Sequence, residues 1–177
     1  MRAERSERRV FARTGAVRRV LLVYTGDGFV RLCAPGRESA PRAVVPDGGV
    51  LGAGDGFVDV RPASREEHLV LELTYRRCEY AGPDLADVAT ESAEVVYGAD
   101  RLRCADARGP VDGVELPLVA GAGPHGVRVD VVGHRAARER PPVPGTSAER
   151  ILVEVWPRDG LTGAQWTALL GEVPIWG

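Results

Sequence analysis

The side chains best suited to proton transfer or metal binding in this 177-residue chain are its three histidines, His68, His125 and His134, with Glu72 and Asp130 nearby in sequence. Their spacing argues against a shared site. No H-x-H or H-E-x-x-H pair occurs, His125 lies in the turn-forming run Gly-Ala-Gly-Pro-His-Gly, and His134 follows a strand. Asp130 and His134 are four positions apart, roughly 13 Å along an extended strand, too far for a dyad unless the strand bends. The histidines are therefore read as structural or surface groups. Nucleophilic catalysis has no better support: there is no G-x-S-x-G, and Ser6, Ser39, Ser64, Ser92 and Ser147 fall in loops or tails without a paired histidine. The carboxylates of Glu66 and Glu67 are adjacent in a loop and diverge.

Cys33, Cys78 and Cys104 are odd in number, far apart and without C-x-x-C spacing, which suggests neither a disulfide framework nor a zinc knuckle. They read as small buried thiols in strands and fit a reducing cytoplasm. No catalytic residue, metal or cofactor is assigned, and the balance leans away from an enzyme.

The most distinctive polar feature is the run HRAARERPPVPGTSAER, where Arg135, Arg138 and Arg140 follow Arg128 and are accompanied by Glu139 and Glu149. Guanidinium forks on a strand and its following loop suit bidentate recognition of carboxylate or phosphate. A solvated ion-pair face is the plainer reading. The candidate partner-binding residues are Arg128, His134, Arg135, Arg138, Arg140 and Trp156. Arginine content alone means little here, since all 23 basic residues are arginine and the chain has neither lysine nor asparagine, as a GC-rich genome would produce. With a formal net charge of −2, the chain as a whole is not an electrostatic binder of nucleic acid or anionic membrane. Seven arginines among residues 1–19 leave a nucleic-acid arm open, but a flexible, solvated tail over residues 1–16 is favoured.

The elements that must position these residues are strands. Val127, Val129 and Val131 alternate with Arg128, Asp130 and Val132, and Ile151, Val153 and Val155 alternate with Leu152, Glu154 and Trp156, so residues 126–134 and 149–156 predict a strand pair joined by the arginine-rich crossing. Residues 68–80 predict the clearest single strand, with Leu69, Leu71, Leu73 and Tyr75 on the buried face. Further strands are expected from Val17 to Tyr24, then at 29–33, 57–60, 94–97, 100–105 and 114–120, with Pro117 marking an edge or bulge. Asp-Gly pairs at 27–28, 47–48, 55–56, 112–113 and 159–160 predict turns, the first a hairpin and the fourth part of a turn over 109–113. The glycines clustered around Val50 and Leu51 lack the strand, helix and Lys-Ser/Thr context of a phosphate loop and read as turns and bulges. A helical turn capped by Asp84 is expected, and Thr162 and Gln165 have capping-box spacing for a helix over about 162–171 that stops at Gly171. Its Trp166 would close an open end of the sandwich, and Ile175 and Trp176 would dock on the core or on a partner. No apolar run of signal-peptide or membrane-spanning length is present.

These signals predict an all-β antiparallel sandwich, jelly-roll-like, over residues 17–177 with a short C-terminal helix. From about residue 50 to 158, the order of HLVLELTY, PDLADV running into EVV, GVRVDVVGHRA and ERILVEVWP resembles a set of uncharacterised bacterial β-sandwich proteins similar to competence protein J-like proteins. The resemblance rests mainly on residues 134–136 and 155–157 and implies a compact jelly-roll-like sandwich with a protein-binding or regulatory role, since some such proteins sit beside toxins or nucleases as candidate immunity or inhibitor factors. It carries over no catalytic residues. The expectation is a non-enzymatic cytoplasmic module with a protein partner. The alternative is a small-molecule-binding or catalytic sandwich with an inter-sheet cavity whose mouth holds Arg128, His134 and Trp156.

Overall fold

The computed structural model describes residues 10–11, 16–26, 28–65, 68–79, 86–139 and 149–172. In chain order the strands are β1 (Val10–Phe11), β2 (Ala16–Tyr24), β3 (Val30–Cys33), β4 (Leu51–Gly54), β5 (Phe57–Val60), β6 (His68–Arg76), β7 (Val88–Tyr97), β8 (Arg101–Asp106), β9 (Gly109–Pro117) and β10 (Gly123–Val132). Helix α1 (His134–Glu139), strand β11 (Arg150–Pro157) and helix α2 (Gly163–Glu172) follow. One sheet has the order β1-β2-β6-β11-β10-β7, the other β4-β5-β3-β8-β9. The architecture is all-β, and every pairing is antiparallel except β6 with β11, which run parallel from Arg150↔Val70 to Val155↔Tyr75. Side-chain alternation reveals strands but carries no direction, so this one parallel contact lay outside what the sequence pattern encodes.

The core forms where the apolar faces meet. In the β10–β11 pair the register sets Val127 opposite Val155, Val129 opposite Val153 and Val131 opposite Ile151, and all six are fully buried. Leu69, Leu71, Leu73 and Tyr75 of β6 bury on the same side, as their alternation requires. From the second sheet, Val30, Leu32, Val58, Val60, Leu102 and Leu116 complete the cluster. Carboxylates join the sheets where their backbones end unpaired. Glu91 of β7 accepts from Val50 N (3.2 Å) and Leu51 N (2.9 Å) beside β4, and Asp106 of β8 accepts from Tyr24 N at 2.9 Å. Each satisfies amide donors that the neighbouring strand leaves open.

Several expected details change. Asp27-Gly28 is no hairpin, because β2 and β3 belong to different sheets; Gly28, at φ +74°, turns the chain from one to the other. The β8–β9 turn is at Ala107-Arg108, and Asp112-Gly113 lies inside β9. Asp55-Gly56 does close a hairpin, between β4 and β5. Pro117 ends β9, an edge strand that can spare its missing donor. The capping box forms, with Gln165 N donating to Thr162 Oγ1 (3.2 Å) and Thr162 N to Gln165 Oε1 (3.0 Å), but α2 continues through Gly171 to Glu172. Trp166 packs against the core cluster. Cys33 and Cys104 are buried in strands, whereas Cys78 is exposed in the bend after β6. The Asp84 cap, Arg140, and Ile175 and Trp176 lie outside the described residues.

Candidate functional site

The crossing between β10 and β11 begins with a helix instead of irregular chain. Gly133, at φ +79°, breaks β10, and its amide donates to Asp87 O at 2.8 Å. Asp87 holds a left-handed conformation (φ 55°) and accepts Arg135 N at 3.1 Å on its carboxylate, so one strained residue at the mouth of β7 caps the first turn of α1. His134 opens the helix with Nδ1 2.9 Å from Glu149 Oε1. Glu149 is buried, and its two oxygens also accept from Ala63 N (2.9 Å) and Ser64 N (2.6 Å). The helix start is thus tied to both β7 and the segment after β5. From this fixed base Arg135 projects to solvent, 82% exposed, paired with Glu139 at 2.9 Å, and Arg138 stands exposed one turn on. A carboxylate–imidazole pair such as Glu149–His134 could orient a base, but no Ser, Cys or Thr hydroxyl or thiol is hydrogen-bonded to His134 among the described residues.

His134, Arg135 and Arg138 are therefore brought together, while Arg128 and Trp156 are not. Val132 pairs with Arg150 at the α1 end of the sheet, and Gly126 pairs with Trp156 six residues further along, roughly 20 Å away at strand rise. Arg128 and Trp156 also alternate with the buried valines, so they occupy the outer face of the sheet and do not line an inter-sheet cavity. Trp156 lies across Gly126, where a β-carbon would stand 2.3 Å from the indole. Arg128 bonds Asp130 at 3.2 Å, and Asp130 in turn accepts from Thr90 Oγ1 at 2.6 Å. Elsewhere on that face Glu72 takes Arg18 and Arg150, and Glu154 takes Arg76.

The three histidines occupy three places. His68 stacks on Tyr24 with ring centroids 5.1 Å apart. His125 is buried between Tyr75 and Tyr97; its Nδ1 donates to Gly123 O at 3.0 Å, which leaves Nε2 to accept from Tyr75 Oη at 3.4 Å. Burial holds the His125 imidazole below its ordinary titration range, against the opposing Gly123 carbonyl, and pushes the Tyr75 hydroxyl up to about 12. The buried Tyr97 hydroxyl has no hydrogen-bond partner among the described residues. Among the described residues no three His, Cys, Asp or Glu side chains converge as a metal site, and no helix is long and apolar enough to cross a membrane.

Sequence reasoning missed a second arginine site, on the outer face of the other sheet. Arg31 and Asp59 face each other across β3 and β5, almost fully buried, and Arg31 bonds both carboxylate oxygens, at 2.7 and 2.8 Å. The same guanidinium donates to the carbonyls of Arg37 (3.1 Å), Glu38 (3.3 Å), Ala40 (2.6 Å) and Pro41 (3.3 Å), with its carbon 4.1 Å from the Phe57 ring centre. Asp59 Oδ2 takes Ala43 N at 2.8 Å. One ion pair thereby holds the segment 37–43 down on the sheet. The clue in the sequence was a single charge of opposite sign in each of two otherwise apolar runs, Val-Arg-Leu-Cys and Phe-Val-Asp-Val.

With six- and five-stranded sheets face to face, the fold defines the class as a two-sheet β-sandwich. Two solved structures share it. ComJ from Bacillus subtilis, an inhibitor of the DNA-degrading activity of NucA, superposes with a TM-score of 0.52 at 7% identity, over 77% of this chain and 92% of its own. The protein of crocagin biosynthetic gene J superposes with a TM-score of 0.51 at 12% identity, over 80% of this chain and 96% of its own. The chain is thus similar in fold to ComJ and to this biosynthetic protein, and the similarity reaches well beyond residues 50–158. The sequence matches no protein-family profile and no curated protein.

Proposed function

We propose that this protein is a cytoplasmic binding module of the inhibitor or immunity type, which works by occupying another protein's surface and needs no cofactor. In this reading residues 17–177 act as one unit. The observation that supports it most directly is helix α1, which carries an 82%-exposed Arg135 and an Arg138 with no ion pair among the described residues on a base fixed by Asp87 and Glu149. Arginines whose backbone is already immobilised lose less entropy on engaging a carboxylate, so such a surface suits an acidic partner. Similarity in fold to a nuclease inhibitor points the same way.

The test is capture of partners from the host lysate with tagged protein, in parallel with the Arg135→Ala/Arg138→Ala/Arg140→Ala variant, followed by titration of the captured protein's activity. The expected result is one stoichiometric partner whose activity falls as the protein is added, and a loss of capture in the triple variant. Repeated captures with no stoichiometric partner would overturn the reading, and equal capture by the triple variant would remove α1 from it.

A further inference from the structure

A cavity of about 360 Å³ opens between the β2–β3 crossing, the segment held down by Arg31, and the chain leaving β5. Among the described residues its walls are Gly28, Phe29, Ala43 and Val45, the carboxylate in its lining is Asp59, and Arg42, Arg61 and Arg65 complete that lining. Asp59 brings no free negative charge to this space, because Arg31 binds both its oxygens and Ala43 N takes one of them again. Arg42 lies on the Phe29 ring, 4.0 Å from its centre. Arg61 and Arg65 are exposed, and neither guanidinium has a hydrogen bond, ion pair or ring contact among the described residues, whereas nearly every other described arginine is engaged. Gly28 contributes by lacking a side chain: Arg65 Nε runs 3.5 Å from where a β-carbon would be.

Arg61 and Arg65 on the chain leaving β5 and Arg42 on the segment held down by Arg31 bring like charges to one cavity, and like charges repel unless something shared lies between them. The guanidiniums of Arg61 and Arg65, unengaged among the described residues, present the planar, forked geometry that matches carboxylate and phosphate oxygens. The volume falls in the range of small-molecule pockets. We propose that this cavity is a binding site for a free small molecule carrying a multivalent oxyanion, a phosphate ester or a polycarboxylate, gripped by Arg61 and Arg65 with Arg42 completing the basic rim. The site shares no lining residue with α1, and it stands or falls independently of the partner-binding reading.

The experiment is calorimetric titration of the full chain at low ionic strength with pyrophosphate, citrate and inorganic phosphate, with a short DNA duplex as a further probe. The same titrations are made on Arg61→Ala/Arg65→Ala, Arg61→Lys/Arg65→Lys and, as a control surface, Arg135→Ala/Arg138→Ala. Expected are one-to-one binding of pyrophosphate or citrate, tighter than that of phosphate, weakened roughly tenfold or more for each arginine removed. The lysine variant should recover only part of the affinity, and the control variant should bind as the parent does. Because Arg61 and Arg65 are exposed, their substitution should leave thermal unfolding unchanged, which separates lost binding from lost fold. Absence of binding by all three small anions up to about tenfold above the usual millimolar range of weak ligands would overturn the proposal. So would binding unchanged in Arg61→Ala/Arg65→Ala, equal loss in the α1 control, or binding of the duplex alone.

Discussion

Replacing Arg31 by methionine tests whether one buried ion pair organises the outer face of the β3–β5 sheet. The substitution keeps most of the stem but removes the guanidinium, leaving Asp59 buried opposite an apolar side chain and four loop carbonyls without their donor. Removing one partner of a buried pair costs about 3–5 kcal/mol, because the remaining charge is desolvated without compensation. A domain is stabilised by only about 5–15 kcal/mol in all. For a chain of this length each kcal/mol is worth about 2–4 °C, so the melting temperature should fall by roughly 6–20 °C. Urea unfolding of Arg31→Met, Asp59→Leu and the double variant provides the assay, with limited proteolysis of residues 37–43 as a local readout. The double variant should be less damaged than the sum of the single changes, since it leaves no orphaned charge. A loss below about 1 kcal/mol in Arg31→Met, or strict additivity in the cycle, would refute the argument.

Other expectations concern the opposite sheet and the core. Gly126→Ala places a methyl group 2.3 Å from the Trp156 indole, so it should cost about 1–3 kcal/mol and shift the tryptophan emission; an unchanged melting curve would show that the ring moves freely. His125 titrates below its ordinary value of 6.5 in the folded chain because of burial, so the unfolded chain takes up its proton first as the pH drops. This residue therefore subtracts nothing above about pH 7 and progressively more as the pH falls below 6.5 toward the folded-state value. In His125→Phe the slope of stability against pH between 7 and 5 should be shallower than in the parent, and an identical slope would contradict the assignment. Native protein should present one fast thiol to an aromatic disulfide reagent, Cys78, and three after unfolding. Burial pushes the Cys33 thiol up to about 12 and raises that of Cys104 as well, so both stay protonated and shielded. Fast reaction of more than one thiol in native protein would be inconsistent with this.

The strands that the sequence made legible are those whose core-facing apolar residues alternate with polar or bulkier ones on the outer face. Alternation in β6, β10 and β11 sorted Leu69 from Val70 and Val129 from Arg128 without ambiguity, and the structure places those residues as the period demands. Less legible was whatever depends on which strand a strand meets. The dipeptide Asp27-Gly28 has the sequence chemistry of a hairpin turn, yet β2 and β3 belong to different sheets, because positive φ at Gly28 serves either route equally. Helix α1 escaped notice since six residues have too short a period to read, and its cap, Asp87, lies 47 positions before His134. The arginines were harder still. Clustering in the sequence attracted attention to Arg128, which Asp130 engages, while Arg31 in β3 and Arg61 and Arg65 after β5 sat unremarked outside any such cluster.

The parallel contact of β6 with β11 also constrains how the chain can fold. β11 is an interior strand, flanked by β6 on one side and β10 on the other, so it enters the sheet as a wedge between residues 68–76 and 123–132. Without residues 150–157 the sheet divides into the strands β1, β2 and β6 and the ribbon of β7 and β10, each with an open edge of amides where β11 would pair. Closing the sheet requires a loop of some 80 residues between Val70 and Arg150 to be restrained, a high-contact-order step that should slow folding. During synthesis the ribosome therefore holds back the element that joins the halves until nearly all the rest has emerged. Over that interval the two parts are free to pair with the wrong neighbour, and the risk of aggregation should rise with expression rate and fall once β11 is in place.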